Sequence, residues 1–354
     1  MKKRGSILFA LITGACGLLG RRLAEELIAR GHNVRVIDLN DFAGVGRAGF
    51  IGRDAQPTGE SGVEFMRGDV RNAQTARAAC KGVDVVFHLA ALLPQSKASA
   101  ENMYSINVRG TETMLMASVA ESVRRFIYSS SVEVYGVPDR VPVTEDAPKK
   151  LLGPYSRTKL DCEEMCARHS ADFGIETVAL RMPMILGPGY YHERFFTKMF
   201  DDLGRGRTVR IIGDGSNRYQ AVASSDVVEA CLLAAEEPAA AGEVFNICSD
   251  PDRVLPVRDT IFRLVERTGS RSKVSHVNKM LARAAIKLTS AIGRPLLLDE
   301  YHEVAFADYV FDITKARQLI GYSPQKDDVQ AMVETVLWYW ETNGIAHSPA
   351  LLTE

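Results

Sequence analysis

Thr13-Gly14-Ala15-Cys16-Gly17-Leu18-Leu19-Gly20 is the stretch whose reading decides the fold. The apolar run Ile7 to Thr13 leads into it and a periodic segment, Leu18 to Arg30, leads out, so three glycines stand between a buried strand and a helix. Glycines there permit a tight turn, close approach of a pyrophosphate to backbone N–H groups, and close helix packing. The helix N-terminus adds partial positive charge. The turn predicts a dinucleotide site with Gly14, Cys16, Gly17 and Leu18 against the cofactor. The next predicted strand, Asn33 to Asp38, ends in an acid 18 residues after Gly20 (38 − 20). A carboxylate there accepts hydrogen bonds from an adenosine ribose and repels a 2′-phosphate, which favours NAD over NADP. Arg35 and the polar loop Gly44 to Gly62 weigh the other way. Asp69 and Val70, after a third strand Val63 to Arg67, are placed at the adenine pocket.

Outward from the turn, short apolar, β-branched runs alternate with helical segments. Further strands are expected at Val83 to Leu89, Arg125 to Ser130 and Thr177 to Arg181, and helices at Asn72 to Lys81, Asn102 to Ser122 and Tyr155 to Phe173. Three of the four helices stop at a glycine, the residue that most readily ends a helix in the left-handed conformation. This is the pattern of an α/β protein with a Rossmann-type doubly wound parallel sheet. After Arg181 the alternation weakens and prolines and glycines cluster. Asp226 to Glu237 reads as a helix and Val244 to Cys248 as a strand rejoining the first sheet. Val254 to Thr268, Lys279 to Ile292 and Val329 to Thr342 read as helices. The expected division is residues 1–182, with about 221–250, as the NAD-binding domain, and about 183–220 and 251–354 as a smaller, discontinuous substrate-binding region.

With 354 residues, 46% hydrophobic and 25% charged, the chain is long enough for one large or two closely joined domains. Its 43 basic and 44 acidic residues leave a net charge of −1, so nothing points to nucleic acid or an anionic membrane. Six scattered cysteines lack metal-ligand spacing, so no metal is expected, and they read as thiols in a reducing cytoplasm. Lys2-Lys3-Arg4 before Ile7 to Ile12 imitates a signal peptide, but cleavage there would destroy the glycine turn. No segment approaches the roughly 20 apolar residues of a membrane span.

Tyr155 and Lys159 are four residues apart, on one face of a helix. The ammonium favours the phenolate and lowers the tyrosine pKa from about 10, so the phenol can exchange a proton with a substrate hydroxyl near neutral pH. That spacing is common on amphipathic helices and gains meaning from the dinucleotide turn.

Taken with His88-Leu89-Ala90-Ala91, Asn107-Val108-Arg109-Gly110-Thr111, Tyr128-Ser129-Ser130-Ser131 through Val134-Tyr135-Gly136, Leu180-Arg181 and Gly187-Pro188-Gly189, the chain resembles the extended short-chain dehydrogenase/reductase family of NAD-dependent epimerases and dehydratases. The likeness covers almost the whole length. It implies Tyr155 as catalytic base or acid, Lys159 as its electrostatic partner on the nicotinamide ribose, and Ser131 as the hydroxyl that holds the reacting substrate oxygen. It also implies Leu89, Ala90, Ala91, Asn107, Ser129 and Pro183 along the cofactor. His88 reads as a structural strand-end residue. Glu133 is either a second acid/base or a substrate-orienting carboxylate. Val132 stands where dehydratases carry an aspartate, which argues against 4,6-dehydration.

For the substrate, two features of the resemblance disagree. Met184 occupies the place of an asparagine usual in nucleotide-sugar enzymes, and Pro183 beside it is similar to hydroxysteroid-dehydrogenase-like branches. Arg218 in Asn217-Arg218-Tyr219-Gln220 is a guanidinium suited to a diphosphate, or equally a surface or interface residue. The first expectation is a nucleotide-sugar epimerase working through a transient keto intermediate, as a homodimer. The alternatives are a net NAD(P)-dependent dehydrogenase or reductase of a bulky secondary alcohol and a non-catalytic NAD-sensing regulator.

Overall fold

The structure, a computed structural model, describes residues 7–40, 63–96, 98–190, 194–291 and 302–346. The first half forms β1 (Phe9–Thr13), α1 (Leu18–Ala29), β2 (Asn33–Asp38), β3 (Val63–Arg67), α2 (Ala73–Cys80) and β4 (Val85–His88). It continues with α3 (Ala100–Tyr104), α4 (Gly110–Ala120), β5 (Arg125–Ser131), α5 (Pro154–Phe173) and β6 (Glu176–Met182). Beyond these come β7 (Met184–Leu186), α6 (Arg194–Gly204), β8 (Val209–Ile212), β9 (Ala221–Ala223), α7 (Ser224–Glu236) and β10 (Val244–Asn246). The remaining elements are α8 (Val257–Arg267), β11 (Val274–Val277), α9 (Lys279–Ala291), α10 (Thr314–Ile320) and α11 (Asp328–Thr342). The expected loop Gly44 to Gly62, the lysine-rich start and the helix end at Ile292 lie outside the described residues.

Seven strands run parallel in the order β10-β6-β5-β4-β1-β2-β3, a Rossmann-type doubly wound sheet in an α/β fold. Alternate residues of each strand enter opposite cores, as the pleat requires. Ala10, Ile12, Val85, Phe87 and Ile127 pack with Leu23, Leu27 and Val227 of α1 and α7. Leu11, Val86, Phe126 and Tyr128 pack with Ala76, Met114, Leu115 and Cys162 of α2, α4 and α5. Winding reverses at β1, between β2 and β4, so a crevice opens at the strands' C-terminal ends, the usual binding place in such sheets. The expected strand after α7 does rejoin the sheet, pairing with β6 from Val244 to Asn246.

Three expected helices differ in detail. Asn102 to Ser122 is continuous but passes through a π-helical turn at Ser105–Arg109, and Ser122, in place of a glycine, takes the left-handed turn with φ 56°. Asn72 caps α2 from outside, its side chain accepting from Thr75 N. α8 begins only at Val257, with Pro256 at its N-cap, because a proline keeps the residue before it, Leu255, out of the helical conformation. After Arg181 the strands are three or four residues long and pair in two small sheets, β7 with β9 and β8 with β11. Runs that short carry no readable alternation. They are held by a third core around Phe200, Leu203, Leu264, Val336 and Trp340, whose indole donates to Phe200 O at 2.7 Å.

Candidate active site

A cleft of about 440 Å³ lies over the C-terminal ends of β1, β4, β5 and β6. At one end its wall is backbone. Gly14 has φ +71°, and a Cβ there would lie 2.8 Å from the backbone of Ala90. A Cβ on Gly20 would lie 2.6 Å from Gly14 O. α1 is capped by Gly17 without a side-chain hydrogen bond and has no acid in its first turn, so its leading N–H groups face the cleft uncapped. That is the donor set a pyrophosphate requires. Asp38 closes β2 beside it; its carboxylate accepts from Cys16 N at 3.0 Å and Asn40 N at 2.9 Å.

Of the residues expected along a cofactor, Gly14, Gly17, Leu18 and Asp38 line this cleft, as do Asp69 and Val70. Leu89, Ala90, Ala91, Ser129 and Pro183 line it further along. The Arg71 guanidinium pairs with Asp69 at 2.6 Å and holds that carboxyl below its ordinary range. Cys16 and Asn107 are not in the lining: Cys16 is partly exposed beside Asn40, and Asn107 is buried. Asn107 accepts from Leu92 N at 2.7 Å and donates to Leu92 O at 3.1 Å, pinning the loop after Ala91. Arg35 is turned away, bound to Glu64 at 2.7 Å and to the carbonyls of Ala79 and Lys81. The residues therefore fit a dinucleotide: a glycine cradle and uncapped helix N–H groups with an acid beside them, and Arg35 engaged elsewhere.

In mid-cleft, β5 and α5 bring Ser131, Tyr155 and Lys159 to one wall. Pro154 starts α5, and Ser156 Oγ accepts from Leu152 N at 3.1 Å and Gly153 N at 3.2 Å, which fixes the turn carrying Tyr155. Ser131 ends β5 and caps the short turn Val132–Tyr135, its hydroxyl accepting from Glu133 N at 3.2 Å. Lys159 is buried and donates to Ser129 O at 2.6 Å, with its ammonium 5.0 Å from the Tyr128 ring centre and 5.5 Å from that of Tyr155. Burial pulls this ammonium down to about 8. Glu133 also lines the cleft. His88 is buried between Thr13 Oγ1 at 2.9 Å and Thr111 Oγ1 at 3.0 Å, and burial, then Lys159, drives it down to about 3. A neutral imidazole with both nitrogens engaged is structural, as expected. Chemically, the centre offers a phenol, an ammonium and a hydroxyl around one point, enough to hold an alcohol oxygen and take its proton.

The far end of the cleft is side chain. Met184, Ile185, Tyr190, Tyr219 and Tyr309 line it, and Tyr219 and Tyr309 stack with ring centres 5.5 Å apart. Tyr309 OH donates to Val132 O at 3.1 Å. Arg218, the expected substrate ligand, is not in the lining. Its backbone N–H donates to Asp308 Oδ1 at 2.8 Å and its guanidinium pairs with Asp308 Oδ2 at 3.0 Å, so its neighbour Tyr219 takes the cleft position. Sequence reasoning missed Tyr219 and Tyr309. The signals available were the alternation of an extended segment at 218–219 and the short apolar run Tyr309-Val310-Phe311.

The model of the NAD dependent epimerase/dehydratase family matches residues 10–248. The chain belongs to that family, whose cofactor is NAD and whose members include epimerases, dehydratases and hydroxyl dehydrogenases of the extended short-chain type. It is 31% identical to uncharacterized protein y4nG of Sinorhizobium fredii, over 93% of this chain and 78% of that one. It is 28% identical to the uncharacterized UDP-glucose epimerase YtcB of Bacillus subtilis, over 89% and 92%. It is 27% identical to a 3 beta-hydroxysteroid dehydrogenase/Delta 5-->4-isomerase of Mycobacterium tuberculosis, over 93% and 90%. Among solved structures, DesIV of Streptomyces venezuelae, a dTDP-glucose 4,6-dehydratase with NAD bound, superposes with a TM-score of 0.73 at 26% identity, covering 95% of this chain and 98% of that one.

Proposed function

We propose that this chain is an NAD-dependent oxidoreductase that takes a secondary alcohol through its carbonyl form. Tyr155 accepts the hydroxyl proton, Lys159 holds the phenolate electrostatically, and Ser131 binds the reacting oxygen. The observation that supports this is a single cleft with an uncapped helix N-terminus and glycine cradle at one end and these three side chains beyond it. NAD⁺, when bound there, supplies the hydride acceptor over the substrate carbon. Asp38 beside the cradle and Arg35 turned away favour NAD over NADP.

The substrate end favours a bulky, uncharged alcohol and hence a net dehydrogenase or reductase. Among the described lining residues Lys159 is the only lysine or arginine, while Met184, Ile185, Tyr190, Tyr219 and Tyr309 offer an apolar, aromatic surface. Hydroxysteroid-like alcohols suit such a wall. The second reading, a nucleotide-sugar epimerase whose keto intermediate turns over and regains hydride on its opposite face, draws on the likeness to YtcB and to DesIV. Were Arg218 to hold the diphosphate in that reading, it would have to leave Asp308. Glu133 serves either reading as a second acid/base or an orienting carboxylate. Incubation with UDP-, dTDP- and GDP-sugars and with 3β-hydroxysteroids separates the cases. Stoichiometric NADH from a steroid-like alcohol supports the first, epimer formation without added NAD the second, and NAD binding with no turnover of any alcohol defeats both in favour of a sensor.

On the same reading, residues 183–220 and 251–354 form the substrate-binding region, and the chain acts in the cytoplasm as a homodimer. Exposed Tyr104, Met116 and Phe173 on α3, α4 and α5 support a helical interface, which light scattering tests. None of the six cysteines forms a disulfide, and no helix among the described residues is long and apolar enough to cross a membrane.

A further inference from the structure

Behind the cleft, buried polar groups converge on one carboxylate that the proton-transfer chemistry does not use. Glu163 lies one turn beyond Lys159 on α5 and is 7% exposed. Its Oε1 accepts from Ser130 Oγ and from Arg181 Nε at 2.9 Å, and its Oε2 accepts from Arg181 Nη2 at 2.6 Å. Ser130 stands between Ser129, whose carbonyl receives Lys159, and Ser131. Arg181 also donates to Tyr135 OH at 2.7 Å and to Glu145 O at 2.9 Å. Tyr135 closes the turn that follows Ser131, and its own hydroxyl donates to Asn246 Oδ1 at 2.7 Å. These contacts grip both sides of the segment that presents the Lys159 acceptor and the Ser131 hydroxyl.

A pair this buried gains little net stability over an apolar pair of similar volume, because desolvation of two charges offsets their attraction. The geometry points to a different use. We propose that Glu163 is a positioning residue: by holding Ser130 it fixes the Ser129 carbonyl and the Ser131 hydroxyl against α5, and it places a negative charge one turn from the Lys159 ammonium. This rests on the reading of Tyr155 and Lys159 as the proton-transfer pair. The groups that face Lys159 are Tyr155, Cys162 and Glu163 on α5, Tyr128 on β5, Glu133 on the following turn and His88 on β4. Burial lowers the ammonium, and Cys162, Glu133 and Glu163 oppose it. Burial also raises the Cys162 thiol, so that group stays neutral at neutral pH and the two carboxylates remain. Removing a negative charge favours the neutral amine, so loss of Glu163 lowers the lysine midpoint.

The test follows Nζ of Lys159 by ¹⁵N NMR in lysine-labelled protein across pH, with the signal assigned by Lys159→Arg. The wild-type midpoint is expected near 8. Glu163→Gln should lower it by about one pH unit. The variant Glu163→Leu/Arg181→Met removes both charges, so no unpaired arginine is left to unfold the core; loss of the Arg181 cation offsets loss of the carboxylate, so its midpoint should fall by less than in Glu163→Gln. The exposed neighbour Glu164→Gln should leave it in place. Ser130→Ala removes the contact but keeps the charge; turnover should fall about tenfold with NAD affinity and the lysine midpoint unmoved. An unchanged midpoint in folded Glu163→Gln, or undiminished turnover in Ser130→Ala, overturns the proposal. Full turnover in Lys159→Ala instead sinks the proton-transfer reading, whatever the titration shows.

Discussion

At the cofactor end of the cleft the wall is backbone: a Gly14 with no room for a side chain, the leading N–H groups of α1, and strand ends set in register by the sheet. At the other end it is side chain, with Met184 and Tyr190, Tyr219, and Tyr309 contributed by three separate stretches of the last half of the chain. Backbone recognition suits a ligand that is the same throughout a family. Side-chain recognition lets one fold accept different alcohols without disturbing hydride chemistry. Tyr155 and Lys159 stand where the two walls meet.

Variants can break this contrast. The largest effect is expected from Tyr155→Phe, which should lower turnover about a thousandfold while NAD affinity, read by fluorescence titration, stays within about threefold. An equal loss of both would move Tyr155 into the cofactor wall. Gly14→Val must place a branched side chain 2.8 Å from the Ala90 backbone at φ +71°. NAD affinity should fall about a hundredfold, with a stability loss of about 1–3 kcal/mol in urea unfolding. Unaltered affinity would mean that the cradle is not the pyrophosphate site. Tyr219→Ala should raise KM for the alcohol about tenfold with kcat and NAD affinity little changed, as for loss of a buried aromatic contact. Arg218→Ala should leave that KM alone; if it instead abolishes sugar-nucleotide turnover, the epimerase reading gains. The smallest change is expected from Asp38→Ser, a several-fold shift from NAD toward NADP in paired titrations.

The cofactor end was legible because its determinants are local. Gly14, Gly17 and Gly20 are contiguous with the strand and helix they join, and Asp38 lies one strand away. Tyr155 and Lys159 were readable from one helical turn. Ser131 and the Leu89–Ala91 loop were reached through the family resemblance. The substrate end was not legible, because Tyr219 and Tyr309 are 90 residues apart in sequence (309 − 219) and meet only through the pairing of short segments. Arg218 shows the difficulty most plainly. Its charge made it conspicuous, and only its partner Asp308 reveals that the neighbouring tyrosine faces the cleft. Glu163 escaped notice for a similar reason, since a glutamate on a long helix reads as a solvated residue until Arg181 and Ser130 are seen beside it.

Hydride transfer between an alcohol carbon and the dinucleotide is the central claim, and an isotope follows it directly. The protein would be given, with NAD, an alcohol that it turns over, deuterated at the carbinol carbon. The account predicts that deuterium either appears at C4 of the nicotinamide or returns to the same carbon, with turnover slowed by the label and none of it lost to water. Deuterium released into water, or turnover that the label does not slow, would contradict it.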